Sequence, residues 1–114
     1  ERDFISSIIV SDINNKKVVI EINDILYFSA NSPYINIHHK TKTYLYTETL
    51  KSLENQLDNN QFIRIHKSFI INLNKILAVD RNRIFIDKKK HIPVGEQYKE
   101  IFNKYMDDTF LNAK

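Results

Sequence analysis

Residues 62–76 read "FIRIHKSFIINLNKI". From Phe62 to His66 apolar and polar side chains alternate, as they do in a half-buried strand. With Ile65 inward, Arg64 and His66 share the opposite, less apolar face. Continued alternation would aim Lys67 at the core, where an unpaired ammonium is costly. The chain is therefore expected to twist or loop at Lys67 and Ser68 before Phe69, Ile70 and Ile71 resume the strand. Such a break has two readings. One is an edge-strand bulge with a solvated lysine. The other is a surface that meets DNA, where Lys reaches phosphate or guanine and Ser bonds phosphate.

The β pattern continues on both sides. "FISSIIV", "KKVVIEI", "ILYFSA", "YINIHH", "TYLYT", "KILAVD", "RIFID" and "HIPV" are short, mostly β-branched or aromatic, and separated by turn residues. The turns draw on Asn14-Asn15, Asn23-Asp24, Asn31 and Asn82, since Asn tolerates the left-handed backbone of tight turns. Two segments depart from this pattern. In residues 47–57, Leu50, Leu53 and Leu57 recur at helical spacing, with Thr47 as the expected cap and Asn59-Asn60 as the stop. In residues 98–106, Tyr98, Ile101, Phe102, Tyr105 and Met106 form an apolar stripe whose helix is expected to start at Gly95. The expected fold is mainly β, in small stacked antiparallel sheets, with one short internal helix and a C-terminal helix.

The chain has 114 residues, 42% of them hydrophobic, which suits one domain with a modest core. No apolar run approaches the roughly 20 residues needed to span a bilayer. The absence of cysteine excludes disulfides and thiolate metal sites and fits a reducing, cytoplasmic setting. The sequence starts at Glu1 without Met, as a piece cut from a longer protein would. Charge is unevenly spread: residues 64–104 carry 10 Lys/Arg against 4 Asp/Glu, and residues 1–63 carry 6 against 8. A basic half suggests a polyanionic partner, with an ordinary solvated lysine surface as the alternative.

Chemistry is not expected. His38, His39, His66 and His91 form no metal-ligand spacing, and adjacent His38 and His39 point to opposite strand faces. The single glycine cannot build a phosphate-cradling loop, and neither a GxSxG elbow nor a cysteine nucleophile exists. Asp107-Asp108 reads as a solvated helix end. No enzyme, cofactor or metal is therefore anticipated. Two further basic segments remain. Lys88, Lys89 and Lys90 look like a hairpin tip, either solvated or tracking phosphates. In "PVGEQYKE", Pro93 ends an extended stretch and Gly95 permits an unusual backbone. Glu96 and Gln97 open a helix whose free N–H groups attract anions, and Gln can read adenine.

The order "DILYFSANSPYINIH", "TLKSLENQL", "FIRIHKSFIINLNKI", "IPVGEQYKEI" resembles the LytTR DNA-binding domain of bacterial response regulators, over about residues 8–102. The motif of Arg64, His66, Ser68 and Asn72 carries the likeness most specifically. The resemblance implies about ten short strands and sequence-specific duplex binding through loops. Bases in two successive major grooves are then read by three regions. These are the "ANSPY" loop with Asn31, Ser32 and Tyr34, then Lys67 beside Ser68, then the turn of Gly95, Glu96 and Gln97 with Lys99 nearby. Arg64, His66 and Asn72 support the motif. Many relatives carry Ser-Arg where this chain has Gly95-Glu96, so Gln97 stands as the alternative reader. The implied partner is duplex DNA; repeated half-sites bound by a pair of domains are a further expectation, and a receiver or a membrane sensor domain upstream is left open. Two rivals are kept: a protein-interaction module pairing through exposed strands, and an RNA-binding sheet stacking bases on Tyr27, Tyr44 and Tyr46.

Overall fold

The computed structural model describes residues 3–107. Ten strands form three antiparallel sheets. A hairpin pairs β1 (Ser7–Ser11) with β2 (Lys17–Glu21). A five-stranded sheet runs β5-β4-β3-β7-β6, from β3 (Ile25–Asn31), β4 (Tyr34–His39), β5 (Thr43–Tyr46), β6 (Phe62–His66) and β7 (Phe69–Asn72). A third sheet orders β10 (His91–Pro93), β9 (Arg83–Phe85) and β8 (Ala78–Asp80). Two α-helices complete the described residues, α1 (Leu50–Gln56) and α2 (Lys99–Met106).

The middle of the five-stranded sheet, β3 and β7, is covered on both faces. Phe28, Ile35, Ile37, Phe62 and Ile70 join Ile8, Val10 and Ile20 of the hairpin and Leu50 and Leu53 of α1 in one core. Tyr27, Ile65 and Ile71 join Ile84, Ile92, Val94 and Phe102 in a second. Neighbours along β3 and β7 thus face different cores: Phe28 against Tyr27, and Ile70 against Ile71. This explains the unbroken apolar run at the start of β7, since a strand covered on both faces needs no polar side.

The same two-sidedness corrects the reading of β6. Arg64 pairs with Ile70 and His66 with Phe69, so Ile65 is the extra residue of a bulge. That residue resets the alternation. Arg64 reaches Glu54 on α1 across the first core side, while His66 lies with Phe69 on the second. The two side chains therefore do not share a face, and neither face is the apolar-poor one that simple alternation suggests.

Other local expectations shift for identifiable reasons. Thr49, not Thr47, caps α1: its hydroxyl accepts from Ser52 N–H at 3.1 Å, one residue before the buried Leu50. The helix ends at Gln56 because Leu57 turns extended to bury itself, ahead of Asn59-Asn60. Asn23-Asp24 belongs to a 3-10 turn rather than a hairpin, and Asn31 closes β3. In the β8–β9 turn the left-handed residue is Arg81, φ 59, and not Asn82. Gly95 starts the 3-10 turn that leads into α2, as its position suggested, but its φ of −69 is ordinary. Space explains it better. A Cβ there would meet Tyr98 at 3.2 Å and the His66 Cα at 3.4 Å. Along α2 only Phe102 is buried, and Ile101 is 59% exposed. Of the expected solvated helix end at Asp107-Asp108, Asp108 lies outside the described residues, as do residues 109–114.

Candidate nucleic-acid interface

Three turns distant in sequence meet at one end of the five-stranded sheet. Pairing of Asn31 with Tyr34 closes the β3–β4 turn, whose Ser32–Pro33 peptide is cis. Pairing of Ser29 with Phe69, extended by the bond from Ala30 N–H to Ser68 O (2.9 Å), sets the turn of Lys67 and Ser68 beside it. Gly95 N–H donates to Ile65 O at 2.7 Å, which brings residues 95–97 against the other flank of that turn. Lys67 consequently lines two clefts. One is shared with Ser32, Tyr34, Thr49 and Arg64. The other is shared with His66, Gly95, Glu96 and Gln97.

The backbone of the Lys67 turn is fixed by its neighbours. Arg64 Nη2 donates to Lys67 O at 2.6 Å, and its Nε donates to His66 O at 3.4 Å. The same guanidinium reaches Glu54 at 3.4 Å, which ties the turn to α1. His66 Nδ1 accepts from Ser68 N–H at 3.0 Å, and the ring packs on Phe69. The Lys67 side chain itself is exposed. Asn72 is wholly buried at the far end of β7. Its amide donates to Ile25 O at 2.7 Å and accepts from Asn74 N–H at 3.0 Å. Arg64, His66 and Asn72 therefore brace the structure, and Lys67 is presented on it.

The other expected site residues fall into two groups. Ser32, exposed Tyr34, Gly95, Glu96 and Gln97 surround Lys67. Asn31 is held by its amide against Asn36 (3.3 Å), and Lys99 pairs with Glu96, which offsets the carboxylate nearest the second cleft. The lysine loop is elsewhere. Along the β9–β10 pair, Arg83 and Pro93 mark the end near Gly95, while Phe85 and His91 mark the end that carries Lys88, Lys89 and Lys90. Asp87 holds that loop by accepting from Lys89 and Lys90 N–H at 2.8 and 2.7 Å. The Lys90 ammonium stands 5.4 Å over the Tyr27 ring. Sequence reading passed over Arg81 and Arg83, which lie at the Gly95 end. Only the β8–β9–β10 register reveals this, and no local motif does.

Tyr27 is buried in the second core, whereas Tyr44 and Tyr46 pack against the first. They lie on opposite sides of the sheet and form no common stacking platform, which removes the basis for the RNA reading. His38 stacks on Tyr27 with ring centroids 3.9 Å apart, and its Nε2 is 2.7 Å from Ser29 Oγ. Burial, helped by the nearby Lys90 charge, pushes its pKa down to about 4, so the ring is neutral near pH 7. Among the described residues no three or more His, Asp or Glu side chains cluster as a metal ion would need. No described helix is long and apolar enough to cross a membrane.

A β scaffold that gathers an exposed lysine and amide-bearing turns at one end offers polar and cationic groups of the kind nucleic acids accept. Residues 15–107 match the model of the LytTr DNA-binding domain. A response regulatory protein of Vibrio cholerae is 33% identical over 93 residues, covering 74% of this chain and 35% of the relative. The sensory transduction protein LytT of Bacillus subtilis is 28% identical over 95 residues, covering 78% of this chain and 39% of the relative. A solved LytTr DNA-binding domain from Bacillus cereus superposes with a TM-score of 0.79 at 23% identity, covering 89% of this chain and 96% of that one. The chain belongs to the LytTr DNA-binding domain family. It spans little more than a third of the length of these two curated relatives.

Proposed function

We propose that this domain binds duplex DNA with sequence preference, as the output module of a bacterial transcription regulator. Bases are read by the turn of residues 31–34, by Lys67, and by Glu96 or Gln97. Family membership supports DNA as the partner. One observation carries the assignment of roles: Lys67 is exposed between two clefts on a turn whose backbone Arg64 and His66 immobilise. A long cationic side chain on a fixed backbone suits guanine O6 and N7 in a major groove, while neighbouring amides and hydroxyls meet phosphate. The longer relatives, named as response regulators and sensory transduction proteins, support a receiver or sensor domain in the full protein. On this reading two such domains act together on repeated half-sites.

Selection of bound sequences from a random duplex library, followed by salt titration, tests the reading. An enriched motif whose affinity falls steeply with salt is expected. Equal binding to enriched and scrambled duplexes overturns it, and salt-insensitive capture of a protein partner favours the strand-pairing module instead.

A further inference from the structure

Among the described residues two take left-handed backbone, Asn15 (φ 62) in the β1–β2 turn and Arg81 (φ 59) in the β8–β9 turn. Asn accepts this conformation cheaply because its short amide bonds nearby backbone, whereas a long side chain gains no such compensation. Asn82, the very next residue, shows that the favourable residue type is at hand one position away. Backbone strain that persists where a cheaper residue would serve points toward function.

The place of the turn indicates which function. Arg83 lies opposite Pro93, and Asn82 O accepts from Val94 N–H at 2.9 Å. The next residue, Gly95, is bonded to Ile65 beside the Lys67 turn. Arg81 thus lies in the turn that abuts Val94 and Gly95, on the flank of the third turn of the proposed reading surface. Arg83 is engaged by Asp80 and lies 5.9 Å over the Phe85 ring. Arg81 is exposed, and none of the described ion pairs includes it.

We propose that Arg81 is a phosphate contact, gripping the duplex backbone beside the groove met by residues 95–97. This rests on the duplex-binding reading above. A planar guanidinium matches phosphate oxygens in a bidentate fork. Neutralising one phosphate releases about one counterion and tightens every sequence alike.

The test is Arg81→Asn beside Arg81→Lys, each melted and each titrated with salt on the selected and a scrambled duplex. Arg81→Asn is expected to melt higher than wild type, because the strain is relieved. It is expected to bind both duplexes several-fold more weakly, with a salt slope shallower by about one. Arg81→Lys is expected to keep most of the slope and gain no melting temperature. Wild-type affinity and slope in Arg81→Asn overturn the contact, and a lower melting temperature removes the strain argument. If wild type binds no duplex in a salt-dependent way, the DNA reading itself fails and takes this contact with it.

Discussion

The turn of Lys67 and the loop of Lys88, Lys89 and Lys90 are both cationic and exposed, yet they are built differently. The first is a tight turn held by a guanidinium, an imidazole and the backbone of a third segment. The second is held by one carboxylate of its own, Asp87, and one of its ammonium groups already sits over Tyr27. Charge density alone would favour the lysine loop as the binding element. Reading a base, however, requires a side chain whose backbone does not move, whereas screening a phosphate requires only proximity. The poorer cluster in charge is the richer one in positioning.

Removing the brace should have the largest effect. Arg64→Ala deletes the bonds to Lys67 O and His66 O and the link to Glu54, so the domain should lose about 1–3 kcal/mol of stability and much of its discrimination. Chemical denaturation beside duplex binding measures both, and an unchanged preference would dissolve the contrast between the two loops. Lys67→Ala comes next. Its folding should be nearly wild type, while discrimination at one base position drops by roughly 1–3 kcal/mol in competition against single-base variants. A melting temperature lowered more than in Arg64→Ala would show that Lys67 is structural.

Neutralising Lys88, Lys89 and Lys90 together should change less, and without regard to sequence. If the loop meets phosphate, affinity falls equally for selected and scrambled duplexes, and the salt slope flattens by about one per lost contact. A loss confined to the selected duplex would reverse the two roles. The effect furthest removed from duplex reading concerns His38 and pH. Its folded pKa of about 4 lies below the 6.5 of the free side chain. The unfolded chain therefore takes up the proton first as pH falls. The contribution is fully present above about 6.5 and is lost as pH falls toward about 4. Melting temperature should decline across that window, and His38→Gln should flatten the decline. Parallel curves would mean that other groups carry it.

Much of this was legible in sequence because it is local. Strand segments announce themselves by composition, and the leucines of α1 by their spacing. The place where β6 must break follows from the cost of burying Lys67. What escaped is set by pairing between distant segments. The bulge at Ile65 exists because β6 must match β7 across two cores, and single-strand alternation holds no trace of the partner. Thr47 and Thr49 are equally good caps by type, and the depth of Leu50 decides between them. Ile101 fits a helical stripe but faces solvent, since only Phe102 of α2 meets the second core squarely. Arg81 is invisible for the same reason, because its nearness to Gly95 depends on a three-residue register.

The extra residue at Ile65 has one more consequence. By sending Arg64 toward α1 and His66 toward Gly95, it couples the two flanks of the reading turn through a single rigid joint. If residues 31–34, Lys67 and residues 95–97 meet DNA as proposed, this joint makes them act as a caliper rather than as three independent fingers. On a duplex, one inserted base pair rotates the next groove by about 35°. Flexible fingers would follow that rotation. A caliper would not, so on the duplex-binding proposal the spacing between the contacted bases should be selected as strictly as the bases themselves.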